Sequence, residues 1–403
     1  MEASPHRNRT LMLCTILHGF THVYQVALIP LYLMIKKDLH LLQDSKVTLL
    51  LTLMGVAYFL PSFPVGILAD KVSRRKLLAF GLALNALGFI CLGLTTSYNG
   101  ALVSVVIAGM GGSCFHPAAT GLVASLYPEA TGKALGRVGM GAGVGFCFGP
   151  LFCGWRGEMA GWREPILELG IAGMVMAILF FFLSEEHTII QKKGTEAHRV
   201  IPSGAYLFLF LGAAISFSLR DFAGNGMSTL ASLFLQRVHG LDAQKTGIMI
   251  SAVFLASIIS NPLFGALSDK GRLRWTAAAL VLAAMTVVLF PRMPFEMLVP
   301  ILAAYGFFFM ASYPMVEAAL METVDNTIRG RVFGFFITVG GCLGNIAHWA
   351  AGKWSSQLGG AAIRAESYYP IYYLFAALIL MSLTGLVFLR GLQKHAAIKT
   401  NPG

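Results

Sequence analysis

Twelve stretches of this chain are each apolar for about 20 residues, the length needed to cross a lipid bilayer. In the first half they lie at about Leu11–Ile35, Val47–Ala69, Leu77–Thr96, Ala101–Leu126, Ala134–Gly154 and Pro165–Ser184. In the second half they lie at about Ala205–Gln236, Thr246–Leu267, Trp275–Phe290, Met297–Met321, Val332–Gly352 and Tyr369–Leu389. An unpaired backbone amide in hydrocarbon costs several kcal/mol, so each stretch has to be helical. Twelve spans in 403 residues force most loops to be short. The one longer polar stretch, Glu185 to Pro202, parts the spans six and six. The expected units are therefore residues 1–184, a linker 185–203, and 204–403.

Charged residues make up only 12% of the chain, against ~25% in a typical soluble domain. That excludes a water-soluble enzyme, and equally a disordered chain, which needs high charge and low hydrophobicity. The net charge of +11 would suggest nucleic acid in a soluble protein. Here the position of the charges decides. Nineteen Lys and Arg fall on the face that carries the N-terminus, ten on the opposite face, and Arg220 lies within a span. The positive-inside rule then places both termini in the cytoplasm and removes nucleic acid as a partner. Cys14, Cys91, Cys114, Cys147, Cys153 and Cys342 all lie in apolar stretches without a CxxC pair, as free buried thiols do. Polar, basic residues 1–10 precede the first span without a small-residue cleavage site, so that span is expected to be permanent.

The two halves repeat. Gly66-Ile-Leu-Ala-Asp70-Lys-Val-Ser-Arg74-Arg75-Lys76 follows the second span, and Gly265-Ala-Leu-Ser-Asp269-Lys-Gly-Arg272-Leu-Arg274 follows the eighth, 199 residues on. Phe115-His116-Pro117 of span four matches Ser312-Tyr313-Pro314 of span ten at 197, and Gly132 matches Gly330 at 198. A parallel duplication of six helices is the plan of one class of transporter, with its site between the halves near the midplane.

The Gly66–Lys76 stretch resembles the loop motif of the major facilitator superfamily, with Ser73 replacing its second Gly. Gly265–Arg274 is a shorter copy. The resemblance implies an all-α membrane protein, twelve transmembrane helices in two pseudo-symmetric six-helix bundles. It also implies a cytoplasmic gate at Asp70, Arg74, Arg75, Asp269 and Arg272. Gly145-x3-Gly149-Pro150-x3-Gly154 in span five is similar to the superfamily's antiporter motif, with Cys153 replacing the first Gly of the closing pair. Small residues there also serve tight helix packing. A narrower run, Gly109-Met-Gly-Gly112-Ser113-Cys-Phe115-His116-Pro117 with Tyr127-Pro128 and Gly132-Lys133-Ala-Leu-Gly136, resembles the fosmidomycin-resistance branch. That branch implies drug–proton antiport.

An ionisable residue inside a span is expensive, and so points to function. In this superfamily spans one, four, seven and ten line the cavity, and the strongest polar residues fall on those four. His18, His22 and Gln25 are spaced i, i+4, i+7 on one face of span one. They suit cavity lining or proton handling, since His titrates near neutrality; packing is the alternative. Zinc also uses His at i, i+4, but no third ligand is visible and no metal is expected. His116 precedes Pro117, where it serves the site or bonds the carbonyl that proline frees. In span seven, Arg220 is a fixed cation for a carboxylate or phosphonate. Asp221 beside it is a proton carrier, and the two side chains point ~100° apart, so they need not be bonded. Gly224, Asn225 and Gly226 are expected to weaken the helix beyond them. Tyr313 and Glu317 share a face of span ten, Glu317 being the second proton carrier. Glu322 and Asp325 are expected to pair with Arg329 and Arg331. Asn345 and His348 share one side of span eleven and carry less weight.

The expected substrate-binding set is thus His18, His22, Gln25, His116, Arg220, Asn225 and Tyr313, and the proton-coupling set Asp221 and Glu317. The expected function is proton-coupled efflux of a small organic solute, anionic or amphipathic, by a monomer in the inner (cell) membrane that needs no cofactor. The rivals are a symporter or facilitator importing a small organic anion, and a non-transporting membrane receptor or assembly protein on the same fold. An intramembrane enzyme built on His18, His22 and Asp221 has no nucleophile–base motif to support it.

Overall fold

A computed structural model describes residues 5–69, 71–186, 204–269, 271–324 and 329–400; among these there is helix and no strand. Among the described residues, twelve spans are long and apolar enough to cross a membrane. They are α1 His6–Asp38, α2 Asp44–Ala69, α3 Arg74–Leu94, α4 Tyr98–Leu126, α5 Thr131–Ala160, α6 Arg163–Leu183, α7 Gly204–Val238, α8 Ala243–Ser268, α9 Arg272–Arg292, α10 Phe295–Met321, α11 Val332–Gln357 and α12 Ala365–His395. Several run a turn or more past the apolar stretches, because a helix continues into the polar interface once its backbone bonds are made. Most of the 185–203 linker lies outside the described residues.

Four spans are interrupted. The helix of α1 stops at Val26 and passes through a 3-10 turn at Ile29–Leu31, where Pro30 can donate no amide hydrogen. In α2 the break falls before Ser62, next to Pro61. α4 ends its first segment at Gly112 and restarts at Phe115, and Pro117 sits in the first turn of the restart. α12 breaks between Met381 and Thr384. The outer faces carry large apolar side chains, Phe182, Phe208 and Val387 among the most exposed. A soluble monomer seldom leaves such surface bare, whereas lipid covers it.

In the first half α1 packs on α5, and α3 on both α4 and α6; in the second, α7 packs on α11 and α12, and α10 on α8 and α9. The closest seams between the halves are α2 against α11 and α5 against α8. The second seam is tight because a Cβ on Gly154 would meet the Ala243 carbonyl, and one on Gly247 the Pro150 carbonyl. The described hydrogen bonds and ion pairs between the halves run from the middle of the spans to the end opposite the termini. Ser232 Oγ donates to the Ile29 carbonyl (2.6 Å), the Ala243 amide to Glu158 (3.2 Å), and Ser251 Oγ to the Cys147 carbonyl (2.8 Å). Thr52 Oγ1 donates to the Asn345 carbonyl (2.8 Å) and accepts from the Trp349 amide (2.9 Å). Toward the termini the described contacts between halves are apolar packing, such as Phe63 on Phe335 with ring centroids 6.3 Å apart. These polar links join the halves at the far end.

Candidate functional site

Three polar clusters lie inside the spans. The first belongs to α7 and α10. Arg220 is 2% exposed, and its guanidinium bonds Asp221 Oδ1 through Nε (2.9 Å) and Nη2 (2.8 Å). Nη1 donates to Ser312 Oγ at 3.3 Å, and the group lies 3.8 Å above the Tyr313 ring. The expectation that Arg220 and Asp221 need not be bonded is corrected. Both side chains bend toward each other, because a lone cation here would cost ~2.5–3.5 kcal/mol even on the mildest scale. Asp221 also faces α11, where a Cβ on Gly340 would sit 2.8 Å from its Oδ2, and one on Gly344 2.9 Å from its Cβ. Asn225, one turn on, faces the same groove, 3.4 Å from the Gly344 position.

The weakening expected around Gly224 and Gly226 does not occur. The helix is continuous from Gly204 to Val238. The glycines are needed instead for close packing: a Cβ at Gly224 would strike the Phe309 ring, and one at Gly226 the Phe375 ring. Glu317, one turn from Tyr313, is exposed and makes no hydrogen bond or ion pair among the described residues.

The second cluster is in the first half. His18 Nδ1 bonds the Val138 carbonyl at 2.8 Å, and His22 Nδ1 bonds Gln25 Oε1 at 2.8 Å. The two Nε2 atoms face each other at 3.0 Å. His116 joins from α4, its ring centroid 5.2 Å from that of His18 and 5.9 Å from that of His22. One ligand nitrogen from each of the three rings lies within 4.8 Å of the others. The third histidine that spacing alone did not show is thus supplied by the fold. Nor does His116 bond the backbone loosened by Pro117: the break at Ser113–Cys114 turns it toward the other rings. Metal-binding histidines commonly hold their second nitrogen on a carbonyl or carboxylate, as His18 does, so the donor types fit a cation. No carboxylate bonds the three rings among the described residues.

Sequence reasoning missed the third cluster. Asp44, fully buried at the start of α2, accepts from Lys36 Nζ (2.8 Å), from Arg237 Nη2 (2.6 Å) and from Ser355 Oγ (2.8 Å). Its amide donates to Ser356 Oγ at 2.8 Å. Arg237 and the two serines come from the other half, so this cluster fastens the halves at the far end. Asp44 at a helix start reads as ordinary dipole compensation. The only signal was that its partners, Lys36 and Arg237, stand on the cation-poor face. Beside it, Thr229 links Tyr32 (3.1 Å) to His348 Nδ1 (2.6 Å), which gives His348 a structural place between α7 and α11.

Of the expected gate, Asp70 lies outside the described residues. Arg74 donates to the Gly121 carbonyl (2.9 Å), and Arg75 reaches Ser184 (3.4 Å) and Glu186 (3.5 Å). Arg272 bonds Glu322 (2.8 Å) and Asp269 (3.4 Å). None of these contacts joins one half to the other, and Glu186 belongs to the linker. Glu322 thus has Arg272 as a partner; Asp325 and the side chains of Arg329 and Arg331, with which these two acids are expected to pair, lie outside the described residues. In α5, a Cβ on Gly145 would strike the Gly19 carbonyl, and one on Gly149 would lie 2.7 Å from Val26. The glycine motif therefore packs α1 on one side and, through Gly154, α8 on the other.

A sequence model of the Major Facilitator Superfamily matches residues 11–348 and, in a second match, 209–401. Multidrug resistance protein 2 of Bacillus subtilis (strain 168) is 24% identical over 418 residues, covering 100% of this chain and 100% of that protein. Multidrug resistance protein MdtG of Enterobacter lignolyticus (strain SCF1) is 26% identical over 329 residues, 78% of this chain and 75% of that one. Among solved structures, a bacterial homologue of the human lysosomal transporter Spinster, inward-facing and unoccupied, is similar with a TM-score of 0.74. It is 18% identical over 98% of this chain and 96% of that chain.

Proposed function

The chain belongs to the Major Facilitator Superfamily, and from that premise we propose that this integral membrane transporter exports a small organic solute, anionic or amphipathic, in exchange for protons. The units are residues 1–184 and 204–403 with a linker at 185–203. The protein works as a monomer in the inner membrane with both termini in the cytoplasm. The observation that carries the reading is the pairing of a buried Arg220 with Asp221 beside Tyr313, with Glu317 one turn from Tyr313 and free of hydrogen bonds and ion pairs among the described residues. A cation held in the bilayer by one carboxylate is ready for a second anion. Tyr313 offers an aromatic face to the amphipathic part of a solute.

Export by exchange requires that solute and proton exclude each other. Glu317 suits that role: with no partner among the described residues, it binds either a proton or a donor group of the solute. The resemblance to proteins named for multidrug resistance supports the outward direction. One feature favours a second reading, import of an anion together with a proton. An anion that takes Arg220 strips Asp221 of its counter-charge, and the carboxylate then takes up a proton, so the two ligands help each other.

The sign of proton movement separates the two. Phosphonates, organic acids, sugars and lipophilic cations would be added to weakly buffered purified protein and to proteoliposomes. Proton release on solute binding supports exchange, and proton uptake supports co-transport. Transport that stays pH-driven in both Asp221→Asn and Glu317→Gln refutes the proton assignment. Solute that binds without flux identifies a receptor.

A further inference from the structure

We propose that the histidine cluster of α1 and α4 is itself a proton-binding site, which holds a single proton between His18 Nε2 and His22 Nε2 under the control of Gln25. Proton counting at the ring nitrogens leads there. A carbonyl only accepts, so the bond to Val138 requires a hydrogen on His18 Nδ1. That leaves His18 Nε2 as an acceptor in every neutral form. As placed, Gln25 presents its oxygen to His22 Nδ1, which therefore also carries a hydrogen. Two bare Nε2 atoms at 3.0 Å would then set lone pair against lone pair. A proton between them turns the contact into a charge-assisted hydrogen bond of ordinary length.

The same site accommodates loss of that proton. If the Gln25 amide turns over, its NH2 donates to His22 Nδ1, the hydrogen of His22 moves to Nε2, and Nε2–H donates to His18. The Gln25 Nε2 group, buried and without a partner in the present arrangement, is the donor this second state requires. Both protonation states are thus hydrogen-bonded without backbone movement, and release of one proton together with rotation of one amide converts the charged state into the neutral one.

The surroundings favour one proton over a metal ion. Two nitrogens bound at ~2.0–2.1 Å to a tetrahedral ion stand about 3.3 Å apart, wider than observed here. Around the rings, Phe115 stacks on His18 (4.6 Å) and Phe146 lies tilted against His22 (4.2 Å). Of the titratable groups nearby, His116 and Tyr58 meet the cluster edge to face (6.1 Å between them), and Cys114 precedes the α4 restart. Asp, Glu, Lys and Arg side chains make no hydrogen bond or ion pair with the three rings among the described residues. A double charge would place a second cation in this apolar pocket, whereas a single one is shared between the two facing imidazoles. Phe146 in turn stacks on Phe254 of the other half at 5.0 Å, so the site lies one ring away from the α5–α8 seam.

The test needs no substrate and is independent of transport. Full-length protein carrying ring-13C histidine would be followed by pH-difference infrared spectroscopy. Beyond the bands of the other histidines, which all variants share, the expected result is an imidazole–imidazolium conversion that disappears in His18→Gln and in His22→Gln. It persists in Asp221→Asn, Glu317→Gln and His348→Gln. Gln25→Glu, whose carboxylate can only accept, is expected to hold the charged form, so the component assigned to this pair loses its pH dependence across the neutral range. Unchanged bands in both histidine variants, with the fold verified by thermal unfolding, overturn the proposal. So does stoichiometric binding of added Zn2+ that a chelator reverses and His116→Ala abolishes, which would make the cluster a metal site.

Discussion

Replacing Asp44 by asparagine should open the far end of the molecule. The carboxylate is fully buried and accepts three hydrogen bonds, two of them from cations. Removing one member of a buried ion pair costs about 3–5 kcal/mol. Two features of this site lower that figure. The Lys36 and Arg237 side chains are 22% and 19% exposed, so each regains water when unpaired. The Lys36 bond lies within one half and survives separation of the halves. The part that holds the halves together is then about 2 kcal/mol, or ~30-fold in the ratio of sealed to open forms. Spin labels at Leu42 and Ile363, which are 93% and 69% exposed at the far end of opposite halves, would report the distance by pulsed electron resonance. Asp44→Asn and Arg237→Gln should both raise the long-distance population by about that factor, and Lys36→Gln by less. Identical distance distributions in wild type, Asp44→Asn and Arg237→Gln would refute the idea that this cluster seals the halves.

Arg220→Lys should lower apparent affinity for anionic solutes by about tenfold or more in counterflow, because an ammonium cannot grip Asp221 through two nitrogens while lying on Tyr313. Gly154→Val drives a side chain into the Ala243 carbonyl and should cost about 1–3 kcal/mol, read as a lower Tm. Gly132→Ala, with open space around it, should leave Tm unchanged. In the turn between α4 and α5, the hydrogen bond from Arg7 and then a backbone N–H hold the Glu129 carboxyl below the usual carboxylate range. A depressed folded value means that this contact is complete above the ordinary carboxylate pKa and is lost as pH falls through the lowered one. Mobility of a spin label at His6 should rise over that acid window, and Glu129→Gln should remove the pH dependence.

The fold was readable because its signals are local and repeated. Twelve apolar runs, their division six and six, and the copies at Asp70 and Asp269 all survive reading in one dimension, since lipid imposes the same demand on every span. Ionisable residues in spans were also legible one by one: Arg220, Asp221, Glu317, His18 and His22 stand out against the apolar background. What each does was less legible. The same glycine signal at Gly224 and Gly226 suggested a weak helix and proved to be room for Phe309 and Phe375. Composition cannot distinguish a glycine that bends from one that lets a ring approach.

The sequence by itself determined that this chain lives in a bilayer, crosses it twelve times as helix, and keeps a few charges there at a cost that implies use. Only the tertiary structure decided which of those groups meet. His116 reaches His18 across about a hundred residues because α4 breaks at Ser113–Cys114 and turns it inward. Asp44 meets Arg237 because α2 and α7 end at the same face of the body. Hydropathy is a property of one segment at a time and so can be read along the chain. A hydrogen bond needs two groups within about 3 Å, and that proximity is set by helix packing, which no single segment encodes.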